Sequence, residues 1–276
     1  MEEEGGVIEE ILGAAPVFLL IAVRALAMIE TAPLLSSEAI PQVAKIAVAG
    51  FAAYAVVPAA LAGGGSWGTN MEAFGLGFVF LVIGEAIIGI ITGFFLTIIF
   101  SAFSTAGQFF SLQMGFGASE TFDPLSQIEN PLMGQYLNLV AMLVFLSVGG
   151  FQKLFLGGFW RSVQSISVLS LVQGREGVVQ MLLGGLSRLF LDAMIISMPI
   201  LGTLFLTSLA TGLISKAAPQ INILSEGFPI SIAVAFVLIA ATMPFMVEAF
   251  SRVVNTGFTT LEDLYTQIGV QIEAAP

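Results

Sequence analysis

Five long stretches of this chain contain no charged residue, and their length is what most limits its fold. A helix needs about 20 apolar residues to cross a lipid bilayer, and each stretch reaches that length. A sixth apolar stretch, at about 11–35, is interrupted by Arg24 and Glu30. We therefore predict an all-α membrane protein with about six hydrophobic elements. The five uncharged stretches are residues 46–71, 86–119, 130–152, 193–215 and 227–247.

Composition supports this prediction and excludes several kinds of chemistry. Of the 276 residues, 57% are hydrophobic and 10% are charged, whereas an ordinary soluble domain has roughly a quarter charged residues. Because cysteine and histidine are absent, the chain has no thiolate nucleophile, no imidazole base and no zinc site of the usual kind. The Gly-x-x-x-x-Gly-Lys-[Ser/Thr] nucleotide motif is also absent, and a net charge of −11 argues against nucleic acid. We expect no enzyme activity, no cofactor and no metal.

The chain is predicted to be a single domain, 1–276, with a tail at each end. Residues 1–10, MEEEGGVIEE, are acidic where a signal peptide would be basic, so we predict a retained, solvated tail there. Residues 256–276 are predicted to form a C-terminal tail. The lysines and arginines lie beside connections that an alternating topology places on opposite sides, so they leave the membrane orientation open.

The most unusual segment is 107–135, GQFFSLQMGFGASETFDPLSQIENPLMGQ. Gly115, Gly117, Pro124 and Pro131 predict a break between helices, because glycine loosens the backbone and proline removes a hydrogen-bond donor. At membrane depth, such backbone persists only where protein or water satisfies its polar groups. We therefore predict that this segment lines or closes a pathway.

The third hydrophobic element is too long for a simple membrane span. Over about 71–110, a helix rising about 1.5 Å per residue would be about 60 Å long, twice the hydrocarbon thickness of about 30 Å. It must bend, pair back on itself or project. Gly84, Gly89 and Gly93 are candidate points of bending or close packing, and the last two frame a small-xxx-small motif for which plain helix packing is the simpler interpretation.

Ionisable residues within the apolar stretches are costly in lipid, so we expect them to face protein, water or one another. Arg188 and Asp192 are four residues apart and able to pair on one helical face, either as a structural ion pair or as part of ion or proton coupling. Glu85 has no opposite charge within a helical turn, so its partner is expected on another helix or subunit. The residues concerned are Arg24, Glu30, Glu85, Arg188, Asp192 and Glu248.

A second proline-framed segment, SKAAPQINILSEGFP, lies at 215–229. Pro219 and Pro229 bound it, and Gln220 and Asn222 supply amide donors and acceptors. In the first connection, ETAPLLSSEAIPQVAK, Pro33 and Pro41 likewise frame a short polar turn. Proline in an interhelical turn is ordinary, so neither segment identifies a function by itself.

Four segments of the chain occur in a characteristic order: TAPLLSSEAIP at 31–41, GQFFSLQMGFGASETFDP at 107–124, PLMGQYLNLVAMLVFLSVGG at 131–150 and KAAPQINILSEGFP at 216–229. Together they resemble the FliR family of the flagellar export gate, which has a counterpart in virulence-associated type III secretion. The resemblance covers nearly the whole chain and favours the flagellar branch. The chain departs from the family in having fewer basic residues and in Lys216, which precedes Ala-Ala-Pro-Gln.

The resemblance implies a non-enzymatic subunit that helps form and plug the channel through which unfolded flagellar proteins leave the cytoplasm. It implies long, partly broken helical hairpins in a hetero-oligomeric helical assembly with FliP-type and FliQ-type subunits. FlhB- and FlhA-type export components, exported unfolded proteins and membrane lipid are the further expected partners. The expected location is the bacterial inner membrane, in a multi-pass arrangement at the flagellar basal body.

The resemblance also implies roles for particular residues. Met114 and Phe116 would give a plug bulky, deformable apolar contacts that exclude water, and the neighbouring glycines would let it fold away. The alternative is a loop that packs between subunits. The implied plug is Gln113, Met114, Gly115, Phe116 and Gly117; the implied loop base is Phe122, Asp123 and Pro124; the implied subunit contacts are Pro219, Gln220 and Asn222.

A different class of function remains open at this point. Broken helices with buried carboxylates such as Glu85 and Asp192 also suit an ion-coupled small-molecule secondary transporter. The absence of an evident inverted repeat and the family resemblance weigh against this alternative.

Overall fold

In a computed structural model of the chain, the described residues are 2–62, 75–115, 132–217 and 223–273, and all their regular structure is helical. The prediction of an all-α membrane protein is confirmed for this part of the chain. The helices are α1 (Glu2–Thr31), α2 (Gln42–Ala62), α3 (Leu76–Met114), α4 (Leu132–Ser147), α5 (Gly150–Gln152), a π-helix (Lys153–Trp160), α6 (Arg161–Ser165), α7 (Val168–Gln173), α8 (Arg175–Ala217) and α9 (Ile223–Glu273).

Among the described residues, five helices are long and apolar enough to cross a membrane: α1, α2, α3, α8 and α9. A sixth candidate consists of α4 and the helical run 150–165, which are bent by 74° relative to each other. The bend falls at Gly149, whose φ of 69° lies in the left-handed region that favours glycine. The predicted number of hydrophobic elements, about six, is confirmed.

Three helices are longer than a single crossing needs. Helix α3 has 39 residues, α8 has 43 and α9 has 51. At about 1.5 Å per residue, α3 alone is about 58 Å long. The overlong third element is therefore real, and it continues through its glycines without a break.

The structure corrects the predicted ends of several segments. Helix α3 continues to Met114 and α4 begins at Leu132, so both ends of the predicted break at 107–135 are helical. Helix α9 begins at Ile223 and continues through Pro229, which was predicted to bound the segment 215–229. Residues 2–10, predicted as a solvated tail, belong to helix α1.

Helix α9 also continues to Glu273, through residues 256–273 of the predicted C-terminal tail. Phe258, Leu261, Leu264 and Ile268 recur at helical spacing and are all buried. An apolar stripe of this kind holds a helix against a core.

The chain, predicted as one domain, divides into two compact units. Unit 1 consists of Met1–Thr97, Gly149–Gly185 and Thr256–Pro276, and unit 2 consists of Ile98–Val148 and Leu186–Asn255. Helices α3, α8 and α9 contribute residues to both. The core of unit 2 contains edge-on ring contacts from Phe100 to Phe145, at 5.3 Å, and from Phe103 to Phe250, at 4.3 Å between ring centroids.

Candidate functional site

A buried ion pair joins α1 to α3 in unit 1. Nε of Arg24 donates to Oε2 of Glu85 at 2.5 Å, and the two side chains are 1% and 3% exposed. Both residues lie within apolar stretches of their helices. The partner that Glu85 lacks within its own helical turn is therefore supplied by another helix of the same chain.

The same guanidinium also holds the region around α6. Nη1 of Arg24 donates to Oγ of Ser162 at 3.3 Å, and Nη2 donates to the carbonyl oxygen of Ile166 at 2.9 Å. Ile166 ends α6 in an extended conformation, with φ −121° and ψ 120°. Because the planar guanidinium carries several fixed donors, it can hold partners on different segments at once. We call Arg24, Glu85, Ser162 and Ile166 the Arg24 brace.

A second buried hydrogen bond in unit 1 joins α3 to the last part of α9. The hydroxyls of Thr92 and Tyr265 are 2.7 Å apart, and Tyr265 is buried. Since Thr92 donates to the carbonyl oxygen of Ile88 at 2.9 Å, it accepts from Tyr265. Gly158 of the π-helix leaves room beside this bond, because a Cβ there would lie 3.4 Å from Cγ2 of Thr92.

Helices α1 and α3 approach each other backbone to backbone. A Cβ at Gly89 would overlap the carbonyl oxygen of Arg24, and one at Gly93 would lie 2.7 Å from the carbonyl oxygen of Met28. The small-xxx-small motif is therefore a packing contact, as its simpler interpretation predicted. It brings the α1 backbone close enough for Arg24 to reach Glu85, one turn away from Gly89 on α3.

Lys45 closes the turn between α1 and α2. Its Nζ donates to Oε2 of Glu30 at 3.0 Å and to the carbonyl oxygen of Ser36 at 3.2 Å. Lys45 is 4% exposed, so its ammonium group is buried beside the connection. Leu34 in this turn has a φ of 76°, a conformation uncommon for a residue other than glycine.

In unit 2, the described part of the predicted plug lies at the end of α3. Gln113 is exposed, whereas Met114 is fully buried within this chain. Gly115 leaves the helix with a φ of 90°. Phe116 and Gly117 lie outside the described residues, as do the predicted loop base at Phe122, Asp123 and Pro124 and the predicted contacts at Pro219, Gln220 and Asn222.

The remaining predicted charges lie on α8 and α9. Arg188 is exposed and Asp192 is half-buried, and the ion pairs within the described ranges do not include one between them. An exposed arginine gains little from such a pair when it must give up side-chain freedom. Glu248 does pair with Arg252, at 3.1 Å and on an exposed face. No group of three or more metal-ligating side chains occurs in the described part of the chain.

Sequence reasoning missed Ser162, Ile166, Thr92 and Tyr265. The first two act through a hydroxyl and a backbone carbonyl, which leave no charge signal in an apolar stretch. Tyr265 was assigned to the predicted tail. The helical spacing of the apolar residues around it, from Phe258 to Ile268, is the signal that could have found it.

Comparison with known proteins identifies the family of this chain. The family described as bacterial export proteins, family 1, matches residues 15–257. The flagellar biosynthetic protein FliR of Bacillus subtilis (strain 168) is 29% identical over 94% of this chain and 98% of its own length. FliR of Borreliella burgdorferi is 35% identical over 67% of this chain and 70% of its own length. The surface presentation of antigens protein SpaR of Shigella sonnei is 28% identical over 58% of this chain and 61% of its own length. The chain therefore belongs to the FliR family, the bacterial export proteins of family 1.

Proposed function

We propose that this chain is a non-enzymatic subunit of the flagellar type III export gate, through which unfolded flagellar proteins leave the cytoplasm. The observation that carries this proposal is the family match over residues 15–257, together with similarity to a FliR protein over nearly the full length of both chains. The small-molecule transporter is not favoured by this match. Energy for export must come from other components, since the sequence has no nucleotide-binding motif.

The proposed partners are FliP-type and FliQ-type subunits in a hetero-oligomer, with FlhB- and FlhA-type components nearby, in the inner membrane at the flagellar basal body. Exposed apolar side chains support these partners, because lipid and neighbouring subunits would cover them. Near its C-terminal end, α8 has Phe205 57% exposed, Leu206 63% exposed and Leu213 68% exposed. Such faces are stable only when something apolar covers them.

We further propose that Gln113 to Gly117 form the plug of the resting channel, above a base at Phe122, Asp123 and Pro124, and that Pro219, Gln220 and Asn222 contact a neighbouring subunit. Support comes from the family resemblance of these segments and from the end of α3 at Met114. Gly115, with a φ of 90°, gives the chain a backbone conformation that glycine adopts at little cost.

Affinity purification of the tagged chain from its own host tests the proposed function. We expect smaller membrane subunits to co-purify in unequal copy number, and deletion of the chain to abolish secretion of flagellar proteins. Deleting residues 113–117 from the assembled gate should raise ion leak across the membrane. Purification as a lone chain that takes up a solute into vesicles would overturn the proposal.

A further inference from the structure

Two glycines bring α3 and α4 into backbone contact in unit 2. A Cβ at Gly107 would lie 2.6 Å from the carbonyl oxygen of Met133 and 2.7 Å from Cα of Gly134. A Cβ at Gly134 would lie 3.2 Å from the carbonyl oxygen of Ser104. We call the contact of Ser104 and Gly107 with Met133 and Gly134 the α3–α4 seam. Both sides of it are main chain, which cannot rotate away as a side chain can.

The seam continues into closely packed core on both helices. On α3, Phe103, Phe110 and Met114 follow the seam face at helical spacing and are each 0% exposed. On α4, Leu137 and Ala141 are equally buried. Towards the start of α3 and the end of α4, the rings of Phe100 and Phe145 join the same two helices, with 5.3 Å between the ring centroids. Separating the helices at the seam would therefore remove several fully buried apolar side chains from contact at once.

Met114 has a particular place in this arrangement. Its side chain is buried in the core of its own chain, one residue before the backbone turns into the left-handed region at Gly115. The amide of Gly115 still donates to the carbonyl oxygen of Leu112, at 3.2 Å. The packed part of α3 thus extends through Met114, which anchors the helix end in this structure.

We propose that the α3–α4 seam is a fixed frame that stays closed while a cargo chain passes. This inference rests on the proposed export function and concerns how the gate works. Motion that opens the channel, including that of the proposed plug at residues 113–117, then occurs outside the seam. The opposite mechanism, in which α3 and α4 part at Gly107 and Gly134, would require breaking a main-chain contact and the core behind it.

A disulfide across the seam tests this proposal cleanly, because the natural chain has no cysteine. A Cβ at position 134 would lie 3.4 Å from Oγ of Ser104 and 3.6 Å from Cγ of Gln108, so two double variants place the sulfurs within reach: Ser104→Cys/Gly134→Cys and Gln108→Cys/Gly134→Cys. Secretion of flagellar proteins is measured in cells before and after oxidation. We expect the bond to form and the secretion rate to stay within about twofold, a small change in barrier.

A secretion rate that falls to background on oxidation and returns with reductant would overturn the fixed frame while leaving the export function intact. If neither pair cross-links, the distance between the two spin labels described below decides between the two mechanisms. By contrast, normal secretion by a strain that lacks this chain would refute the proposed function itself.

A second measurement avoids any substitution in the seam. Leu112 on α3 and Leu139 on α4 are 67% and 57% exposed, so Leu112→Cys/Leu139→Cys can carry two spin labels. The distance between the labels should be the same in the resting gate and in a gate stalled with a cargo protein. A longer distance in the stalled gate would contradict the proposal even if the Gly134 variants failed to fold.

Discussion

Arg24 on α1 and Glu85 on α3 form an ion pair 2.5 Å long that is almost wholly enclosed by unit 1. The residues are 61 positions apart in the sequence, and the same guanidinium reaches Ser162 and Ile166. A charge in apolar surroundings is tolerated only while its partner is in place. The Arg24 brace therefore makes the position of α1, α3 and α6 mutually dependent.

Removing one partner of the brace should harm the fold more than removing both. Arg24→Met or Glu85→Met alone leaves a buried, unpaired charge, which costs about 3–5 kcal/mol. The double variant Arg24→Met/Glu85→Met leaves no charge and should lose less stability than either single variant. The measurement is the fraction of purified protein that remains monodisperse after heating, followed by size-exclusion chromatography.

The pair Glu248 and Arg252 is the matched control for the brace. Its side chains are 73% and 75% exposed, so Arg252→Met should change thermal stability little. Equal losses for Arg24→Met and Arg252→Met would show that burial of the Arg24 brace does not matter to the fold.

Glycines in close contact should respond to alanine in the opposite way from glycines in open space. A Cβ at Gly89 overlaps the backbone of α1, so Gly89→Ala should cost about 1–3 kcal/mol through overpacking. Nothing lies within 4 Å of a Cβ at Gly50 in α2. Gly50→Ala should therefore be neutral or gain up to about 1 kcal/mol of helix propensity. The unfolding midpoints of the two variants check this contrast. Midpoints that shift in the same direction would contradict the α1–α3 contact.

The number and type of elements followed from the sequence because apolar stretches of bilayer length leave few alternatives to helices. The ends of the helices did not follow. The predicted break begins at residue 107, yet α3 continues past Gly107, where the missing side chain makes room for Met133 and Gly134. Pro229 suggested another boundary, yet it is accepted near the start of α9. In both cases a residue that disfavours a helix locally was compatible with it in its tertiary position.

The candidate site was predictable only where it carried charge. Arg24 and Glu85 were identified because each interrupts an apolar helix, but nothing in the sequence indicated that they pair with each other. Arg188 and Asp192 had the ideal spacing and do not form an ion pair. Local spacing describes what a helix allows, whereas the observed pairing of Arg24 depends on the close approach of α1 to α3 at Gly89.

The two residues of the hydrogen bond between Thr92 and Tyr265 should lose different amounts of stability when they are substituted. Tyr265→Phe removes a donor, and Thr92 keeps its bond to the carbonyl oxygen of Ile88, so the loss should be about 1 kcal/mol. Thr92→Val keeps the methyl group beside Gly158 but leaves the buried hydroxyl of Tyr265 without its acceptor, at a cost of up to about 3 kcal/mol. Comparable losses in the heating assay, or a larger loss for Tyr265→Phe, would contradict the assigned donor direction.

Ser111 should tolerate the loss of its hydroxyl where Ser162 does not. Oγ of Ser111 is buried near the end of α3 and has no hydrogen-bond partner within the described structure, so Ser111→Ala removes only a desolvated polar atom. We expect its stability to be unchanged or higher by about 1 kcal/mol.

Ser162 is equally buried, but its Oγ accepts from Arg24 and donates to the carbonyl oxygen of Phe159. Ser162→Ala should therefore lose about 1–3 kcal/mol, since a hydrogen bond to a charged group is worth more than a neutral one. Unfolding midpoints of both variants, measured under the same conditions, check the contrast. A marked loss for Ser111→Ala would mean that its hydroxyl has a partner outside the described residues.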